Sequence, residues 1–468
     1  MPDFDLAIIG AGSAGLSVAA AATQLGASVL LIERHHMGGD CLNTGCVPSK
    51  ALLAASRAAR SLRDAARFGI TPAVPDIDWD RLRDHVHGVI AKIAPTDSEA
   101  RFRALGTTVL RGEARFTDPE AINVDGRRIT ARHFVVAAGS RAAVPAVSGL
   151  ERYWTNETLF DLRERPAHLL ILGGGAVGLE MADAFAGLGC KVTVIEAGRI
   201  AAREDAELAM GLRLALSALG VLFEEDAKVV AAEPGPVLRL ADGRRIAGSH
   251  LLVATGRVPN LELLDLPAGR VASGPAGIIT DPGLRSVSNR RVFAAGDIAA
   301  PTGIGPRAFT HVASYHAGII IRRALFRVPA KVNYTALPRV IYTDPELAQT
   351  GLTEAEATAS GLDVQVLRWP MADNDRAVAE RDTDGLAKLV ISRKRVVGAG
   401  ILAPHAGEMI SQWTLAIARR VPVSALASLV VPYPTRSEAG KRAAASFFAP
   451  RLFSPRMRSL VRLLARLP

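Results

Sequence analysis

The chain has 468 residues, 49% hydrophobic and 22% charged, which excludes a globally disordered chain and leaves room for about two to four domains. Its net charge of +10 is concentrated: Arg451, Arg456, Arg458, Arg462 and Arg466 stand in the last 18 residues with no acid, and no nucleic-acid-binding motif accompanies them. Three cysteines are too few for a secreted disulfide framework, no basic leader precedes the first strand, and no apolar run reaches a membrane span, so a soluble cytoplasmic protein is expected.

The apolar run Phe4–Ile9 predicts a strand, followed at once by Gly10-Ala11-Gly12-Ser13-Ala14-Gly15. An Ala-rich helix then runs to about Leu25, with Gly26 as its left-handed cap, and a second strand, Ser28–Ile32, ends in Glu33. Gly10 permits the tight turn, Gly12 lets the backbone approach a pyrophosphate, and Gly15 lets helix and strand lie close. The helix N-terminus faces the phosphates and Glu33 accepts ribose hydroxyls.

Next comes Gly38-Gly39-Asp40-Cys41-Leu42-Asn43-Thr44-Gly45-Cys46-Val47-Pro48-Ser49-Lys50. Two cysteines at this spacing on the first turn of a helix can close a small loop, and the helix N-terminus favours a thiolate at the second sulfur. A redox role is favoured over zinc, because no second ligand pair exists and no metal site is expected.

Phe134–Ala137 predicts another strand, leading into Ala138-Gly139-Ser140. The dinucleotide pattern then recurs: strand Leu169–Leu172, turn Gly173-Gly174-Gly175-Ala176-Val177-Gly178, a helix to about Leu188, and strand Lys191–Ile195 ending in Glu196. Cys190 holds the place of a small apolar core residue. A carboxylate at Glu196 favours the free 2′-hydroxyl of NADH over the 2′-phosphate of NADPH, although Arg199 and Arg203 lie nearby. Leu251–Ala254 precedes Thr255-Gly256-Arg257, and Val292–Ala295 ends in Gly296-Asp297, an acid suited to a sugar-like hydroxyl. Two fingerprints imply two dinucleotides, one flavin and one nicotinamide, and hence electron transfer.

With these fingerprints around it, CLNTGCVPSK resembles the pyridine-nucleotide disulfide oxidoreductases, a family that includes dihydrolipoamide dehydrogenase, glutathione reductase and mercuric reductase. The resemblance runs from about residue 4 to 446 and extends to Ala254–Asn260, Ala295–Asp297 and Tyr342–Glu346. It implies an α/β chain with two Rossmann-like domains, FAD-binding at 1–148 with 266–331 and NAD(P)-binding at 149–265. A C-terminal α/β dimerisation domain at 332–446 and an appended basic tail at 447–468 complete it. FAD and NADH are the implied cofactors, and the implied assembly is a homodimer with shared active sites. Cys41 is then the interchange thiol that meets the substrate and Cys46 the charge-transfer thiolate against the flavin. Lys50 lies near the flavin and pairs with Glu180. Asp297 holds the ribityl chain, and Ala114 and Gly139 lie along the adenosine half. Cofactor contacts are also implied for Ser13, Ala14, Arg34, Asp40, Val177 and Val229, and for Gly256, Arg257, Gly296 and Ala313.

The chain departs from the family at Pro432-Tyr433-Pro434-Thr435-Arg436-Ser437-Glu438. The acid of the partner subunit's acid–base pair survives as Glu438, but Tyr433 replaces the His. With an ordinary pKa of about 10 against about 6.5 for His, Tyr433 donates a hydrogen bond yet shuttles protons poorly, which speaks against glutathione or lipoamide as substrate. Tyr433, Asp373–Ala377 and Gly385–Leu389 resemble mercuric reductase, but no cysteine follows Cys190 to deliver metal. His311, His316 and His405 are the candidates to replace such thiols, and lone histidines are more often structural. The expected function is electron transfer from NAD(P)H through FAD to Cys41–Cys46 and on to a disulfide or metal ion. The alternatives are a dihydrolipoamide dehydrogenase, or a redox sensor or electron-donating subunit for a membrane partner.

In the tail, Ser454-Pro455 predicts a helix start. Met457, Leu460, Val461 and Leu464 form one apolar stripe beside Arg458, Arg462 and Arg466, with Phe447, Phe448, Leu452 and Phe453 just before. Such a cationic amphipathic helix suits either an anionic membrane face or its own dimer.

Overall fold

Phe4–Ile9 is apolar without alternation, the pattern of a strand covered on both faces. In a computed structural model, which describes residues 1–467, it forms the centre of a parallel sheet. The chain divides into two units, 1–54 with 77–165 and 250–333, and 55–76 with 166–249 and 334–468. The cysteine-bearing helix Cys46–Arg63 begins in the first and ends in the second.

In the first unit the parallel strands lie in the order Thr108–Arg111, Val29–Glu33, Phe4–Ile9, Arg127–Val136, Val292–Ala294. Ile9 pairs with both Ile32 and Val136, and Val136 with Ala294. Gly10, Glu33, Ala137 and Gly296 therefore emerge along one carboxyl-terminal edge, where α/β sheets bind ligands. The segment expected as a strand at Phe134–Ala137 is the end of a ten-residue strand whose charged first half pairs antiparallel with Ala121–Val124 on a partly exposed extension. Helix Ser13–Gln24 buries its small residues, with Gly26 at φ +83° just beyond its end.

In the second unit His168–Leu172, Lys191–Ile195 and Leu222–Glu224 pair in parallel, and helix Ala176–Gly187 follows the second Gly turn. The C-terminal part is a five-stranded antiparallel sheet, Arg339–Ile341, Glu346–Gly351, Arg395–Ala403, Leu386–Ser392 and Gln365–Pro370 in spatial order. Helices Ala406–Ala418 and Glu438–Ser446 share its core around Trp413. Beyond it Ser454 Oγ accepts from Met457 N at 3.3 Å and caps helix Pro455–Leu464. No helix among the described residues is long and apolar enough to cross a membrane.

Candidate functional site

The first Gly turn is built by close backbone approach. Gly10 has φ +103°, and a Cβ there would meet Ala137 O at 2.5 Å. A Cβ on Gly15 would overlap the Gly10 carbonyl oxygen, whereas one on Gly12 would find nothing nearer than Gly39 Cα at 3.8 Å. The helix opens at Ser13 with Gly12 as an N-cap that supplies no side-chain acceptor. Its first amides are thus oriented for an anion. Glu33 is held at its strand end by Ala11 N and His35 N, both donating at 2.7 Å, and each carboxylate oxygen retains capacity for a hydroxyl. Arg34 next to it is exposed.

Four motifs far apart in sequence converge on one polar chain in the first unit. Asp40 accepts from Thr44 Oγ1 and Asn156 Nδ2, each at 2.8 Å, and pairs with Arg257 at 3.0 Å. Arg257 Nε donates to Ser140 Oγ at 2.7 Å, and Ser140 Oγ donates to Asp297 at 2.6 Å. Asn156 and Ser140 were not foreseen as participants. Beside them Gly139 has φ +65° and open space where a Cβ would stand. Gly296 has φ +72°, and a Cβ on it would stand 3.3 Å from Ala14 and 3.6 Å from Ala313. Its N–H donates to His316 Nδ1 at 3.0 Å, and burial pushes that imidazole down to about 4, so His316 is a neutral core acceptor. Ala114 is buried at the start of its strand.

The cysteines differ from expectation in one respect. They do not share a single first turn: Cys41 lies inside the short helix Gly39–Asn43, and Cys46 opens the next helix after Thr44-Gly45. Gly45 is needed there, since a Cβ would crowd the Asp40 carbonyl oxygen at 2.9 Å. In the chain alone Cys46 is exposed and Cys41 half-buried. The Cys41 thiol is pushed up, first by its hydrogen bond to Cys46, then by burial and by the Cys46 charge, against opposing hydroxyls of Thr310 and Ser13. Thr310 Oγ1 lies 3.4 Å from Cys46 Sγ; it opens helix Thr310–Ala324 and carried no motif signal. Lys50, one turn along from Cys46, donates to Ser49 Oγ at 3.4 Å.

In the second unit Gly173 has φ +116°, a Cβ on Gly178 would overlap the Gly173 carbonyl oxygen, and Gly175 has open space. Glu196 accepts from Gly174 N at 2.7 Å and Gly198 N at 3.0 Å. Arg199 is drawn to Asp226 at 3.3 Å and Glu225 at 3.8 Å. Val177 is 44% exposed beside the turn, and Val229 is buried. Glu180 accepts from Tyr342 N at 3.1 Å. One turn further, fully buried Asp183 pairs with Arg60 of the cysteine helix at 3.1 Å, and Arg60 also reaches Asp344 at 2.8 Å. Burial pushes the Asp183 carboxyl up to about 7 despite Arg60. Arg60 and Asp183 were missed; an acid three residues past Glu180 on an otherwise apolar helix was the available signal.

Tyr433 is 69% exposed, and its hydroxyl donates to Asp375 Oδ2 at 2.7 Å. That carboxylate raises the phenol pKa further. Glu438 instead pairs with Arg442 at 2.8 Å, so within the chain the acid next to Tyr433 is Asp375. Asn374 Nδ2 donating to Thr435 O at 3.0 Å and Arg436 reaching Glu380 at 2.6 Å hold the loop there. His311 stacks on Phe309 and His405 sits at φ +61° before a helix. Among the described residues no group of three His, Cys, Asp or Glu could hold a metal ion.

Both turns thus fit a dinucleotide by one observation: a Cβ on the middle glycine, Gly12 or Gly175, meets nothing closer than ordinary van der Waals contact, whereas one on Gly15 or Gly178 would overlap a backbone carbonyl. The family model described as pyridine nucleotide-disulphide oxidoreductase matches residues 4–318, and the dimerisation domain of the same family matches 337–444. A mercuric reductase of Streptomyces lividans is 37% identical over 464 residues, covering 95% of this chain and 96% of that protein. A dihydrolipoyl dehydrogenase of Geobacillus stearothermophilus is 32% identical over 451 residues, covering 93% and 94%. Among solved structures, the HOCl-induced flavoprotein disulfide reductase RclA from Escherichia coli has a TM-score of 0.84 at 26% identity, covering 94% of this chain and 99% of that one. The chain belongs to the pyridine nucleotide-disulphide oxidoreductase family, as an FAD-dependent, NAD(P)H-linked oxidoreductase with a C-terminal dimerisation domain.

Proposed function

We propose that this oxidoreductase uses NADH and the Cys41–Cys46 pair to reduce a thiophilic metal ion, in preference to lipoamide or glutathione disulfide. FAD, held by the Gly10–Gly15 turn, Glu33 and the Asp297 edge, supplies the two-electron relay between nicotinamide and disulfide. Cys46, which opens helix Cys46–Arg63 at its N-terminus, is the thiolate of the reduced pair, the role the family implies. Cys41 is the thiol that meets the acceptor, with Lys50 and Glu180 in the roles the family implies. Gly139 and Ala114 belong to the adenosine half, within an FAD domain at 1–148 with 266–331. The domain at 149–265 takes the nicotinamide. Residues 332–446 pair two subunits, so that Tyr433 and Glu438 of one chain serve Cys41 of the other.

The acceptor follows from proton bookkeeping at Tyr433, the single observation that carries the reading. Reducing a disulfide requires Cys41 to displace a thiolate, which leaves fastest with a proton donor near neutral pKa. Tyr433 is held as a donor to Asp375 and pushed above its ordinary pKa by that carboxylate. A metal ion asks less. On binding both sulfurs it displaces the Cys41 proton to water, and closure of the Cys41–Cys46 disulfide releases two electrons, which reduce one Hg(II) to the neutral metal or two Cu(II) to Cu(I), so no leaving group has to be protonated. The mercuric reductase relatives, by name, act on a metal ion, and RclA has been solved as a Cu(II) complex, which supports a metal ion at this site.

The test is a turnover panel of lipoamide, glutathione disulfide, Hg(II) and Cu(II) with NADH, beside anaerobic NADH titration of wild type and Cys46→Ser. Metal turnover well above both disulfides, and a long-wavelength charge-transfer band lost in the variant, are expected. High lipoamide turnover would overturn the acceptor, and a band surviving in Cys46→Ser would overturn the thiolate assignment. Normal flavin reduction without turnover of any acceptor would point instead to an electron donor for a protein partner.

A further inference from the structure

The redox chemistry leaves one part of the molecule unused. Past the family's dimerisation-domain match, which ends at residue 444, Phe447 and Phe448 still pack on the C-terminal core. The chain then runs into helix Pro455–Leu464, none of whose residues is buried. Leu460, Val461 and Leu464 are 45%, 57% and 52% exposed, and Leu452, Phe453, Met457 and Leu467 are exposed with them. At about 100° per residue, Leu460, Val461 and Leu464 fall within about 60° of Met457, while Arg458 and Arg462 stand about 100° and 140° away. The segment Arg451–Leu467 carries five arginines and no acid.

We infer that Leu452–Leu467 is a docking surface for an anionic lipid bilayer, holding the enzyme peripherally by the apolar stripe while the flanking arginines meet headgroups. Charge complementarity selects this occupant. An apolar stripe alone suits any hydrophobic partner, but a flanking cationic row without one acid matches a surface of uniform negative charge. A second copy of the same segment fits poorly, because a two-fold contact would bring the arginines of both copies together with nothing to neutralise them. The match to the family's dimerisation domain ends at residue 444, before the segment begins. A helix lying in the interface also needs no more length than this one has, since it does not span the membrane.

The experiment is vesicle co-sedimentation of the FAD-loaded full-length protein, with phosphatidylcholine alone or mixed with phosphatidylglycerol, at low and high salt. Binding is expected only to the mixed vesicles and should fall steeply with salt. Replacing Arg458 or Arg462 by Gln should weaken the partition by about fivefold each. The double variant Leu460→Glu/Val461→Glu should weaken it by more than about tenfold. Flavin absorbance and NADH-driven turnover in solution should stay unchanged in all of these, because none of the residues lies in the redox machinery. Equal sedimentation of wild type and the double variant would overturn the inference, as would wild type ignoring anionic vesicles. Sedimentation velocity separates the remaining occupant: a double variant that becomes monomeric would assign the stripe to the dimer instead.

Discussion

The two Gly turns follow one backbone plan and differ in what surrounds it. In both, the first glycine is left-handed, at φ +103° for Gly10 and +116° for Gly173, and the last lies against the carbonyl of the first. In the first, Gly38 N donates to Ala11 O at 2.9 Å, and Gly39 comes so close to Gly12 that a Cβ on it would stand 2.7 Å from Gly12 Cα. Ala14 is buried and Glu33 is 9% exposed. In the second, no such roof covers Gly175, Val177 stands exposed, and Glu196 is only partly buried. The helices differ too: Ser13–Gln24 carries no acid, while Ala176–Gly187 buries Glu180 and Asp183. A phosphate cradle is the shared part. Closure around it suits a cofactor that stays, and openness suits one that enters and leaves each turnover.

The largest effects should come from breaking either cradle. Gly15→Ala and Gly178→Ala drive a methyl into a backbone carbonyl that has no room to yield, an overpacking cost of about 3 kcal/mol, or roughly a hundredfold in affinity. Gly15→Ala should yield protein that sheds FAD on gel filtration. Gly178→Ala should retain its flavin absorbance yet lose rapid reduction by NADH. If Gly178→Ala also emerges colourless, the two turns do not serve separate cofactors.

The buried acid on the second helix acts on folding stability rather than on cofactor affinity. Asp183 is held at about 7 against an ordinary 3.8, chiefly by burial, with Arg60 opposing and Asp344 adding to the rise. A carboxyl raised in the folded chain binds its proton more tightly there than when unfolded. That stabilisation is full below about pH 4 and is lost as pH rises to about 7, some 4 kcal/mol in all, and stays lost above. Asp183→Asn cannot ionise. Its stability relative to wild type should climb through that window and level off beyond it, measured by urea unfolding at successive pH values. A difference that is flat with pH would show that Asp183 stays charged against Arg60.

What could be read from the residues was what is local. Each Gly turn, its strand and its terminal acid lie within about thirty residues, and their spacing alone encodes the contacts. The appended helix was legible for the same reason, from Ser454, Pro455 and a stripe at helical period. Contacts across the chain were not legible. Asp297 meets Ser140, and Ser140 meets Arg257, over separations of 157 and 117 residues, and no periodicity announces which hydroxyl faces which carboxylate. Asp375 escaped likewise: its segment was singled out, but its pairing with Tyr433 depends on how the 432–437 loop folds back. The charged start of strand Arg127–Val136 hid because a half-exposed antiparallel extension lacks the apolar run of a buried strand.

The smallest predicted effect concerns nucleotide choice and tests the open side of the comparison directly. Glu196 holds the amides of Gly174 and Gly198 and keeps lone pairs for ribose hydroxyls. A 2′-phosphate would meet its charge, and the arginine best placed to compensate, Arg199, is drawn to Glu225 and Asp226. Wild type should therefore favour NADH. Glu196→Ala removes both the ribose acceptor and the repulsion, so KM for NADH should rise while kcat holds, the mark of binding lost equally in ground and transition states. The ratio of kcat/KM for NADH over NADPH should fall about tenfold, equivalent to about 1.4 kcal/mol. Because Glu196 is partly exposed, water can take over the two freed amides and keep the effect modest. The same change at buried Glu33 leaves Ala11 N without an acceptor, and there the cost should appear as weakened FAD retention. A wild type that prefers NADPH, or a ratio unmoved by Glu196→Ala, would mean that this carboxylate only shapes the turn and that selection lies elsewhere.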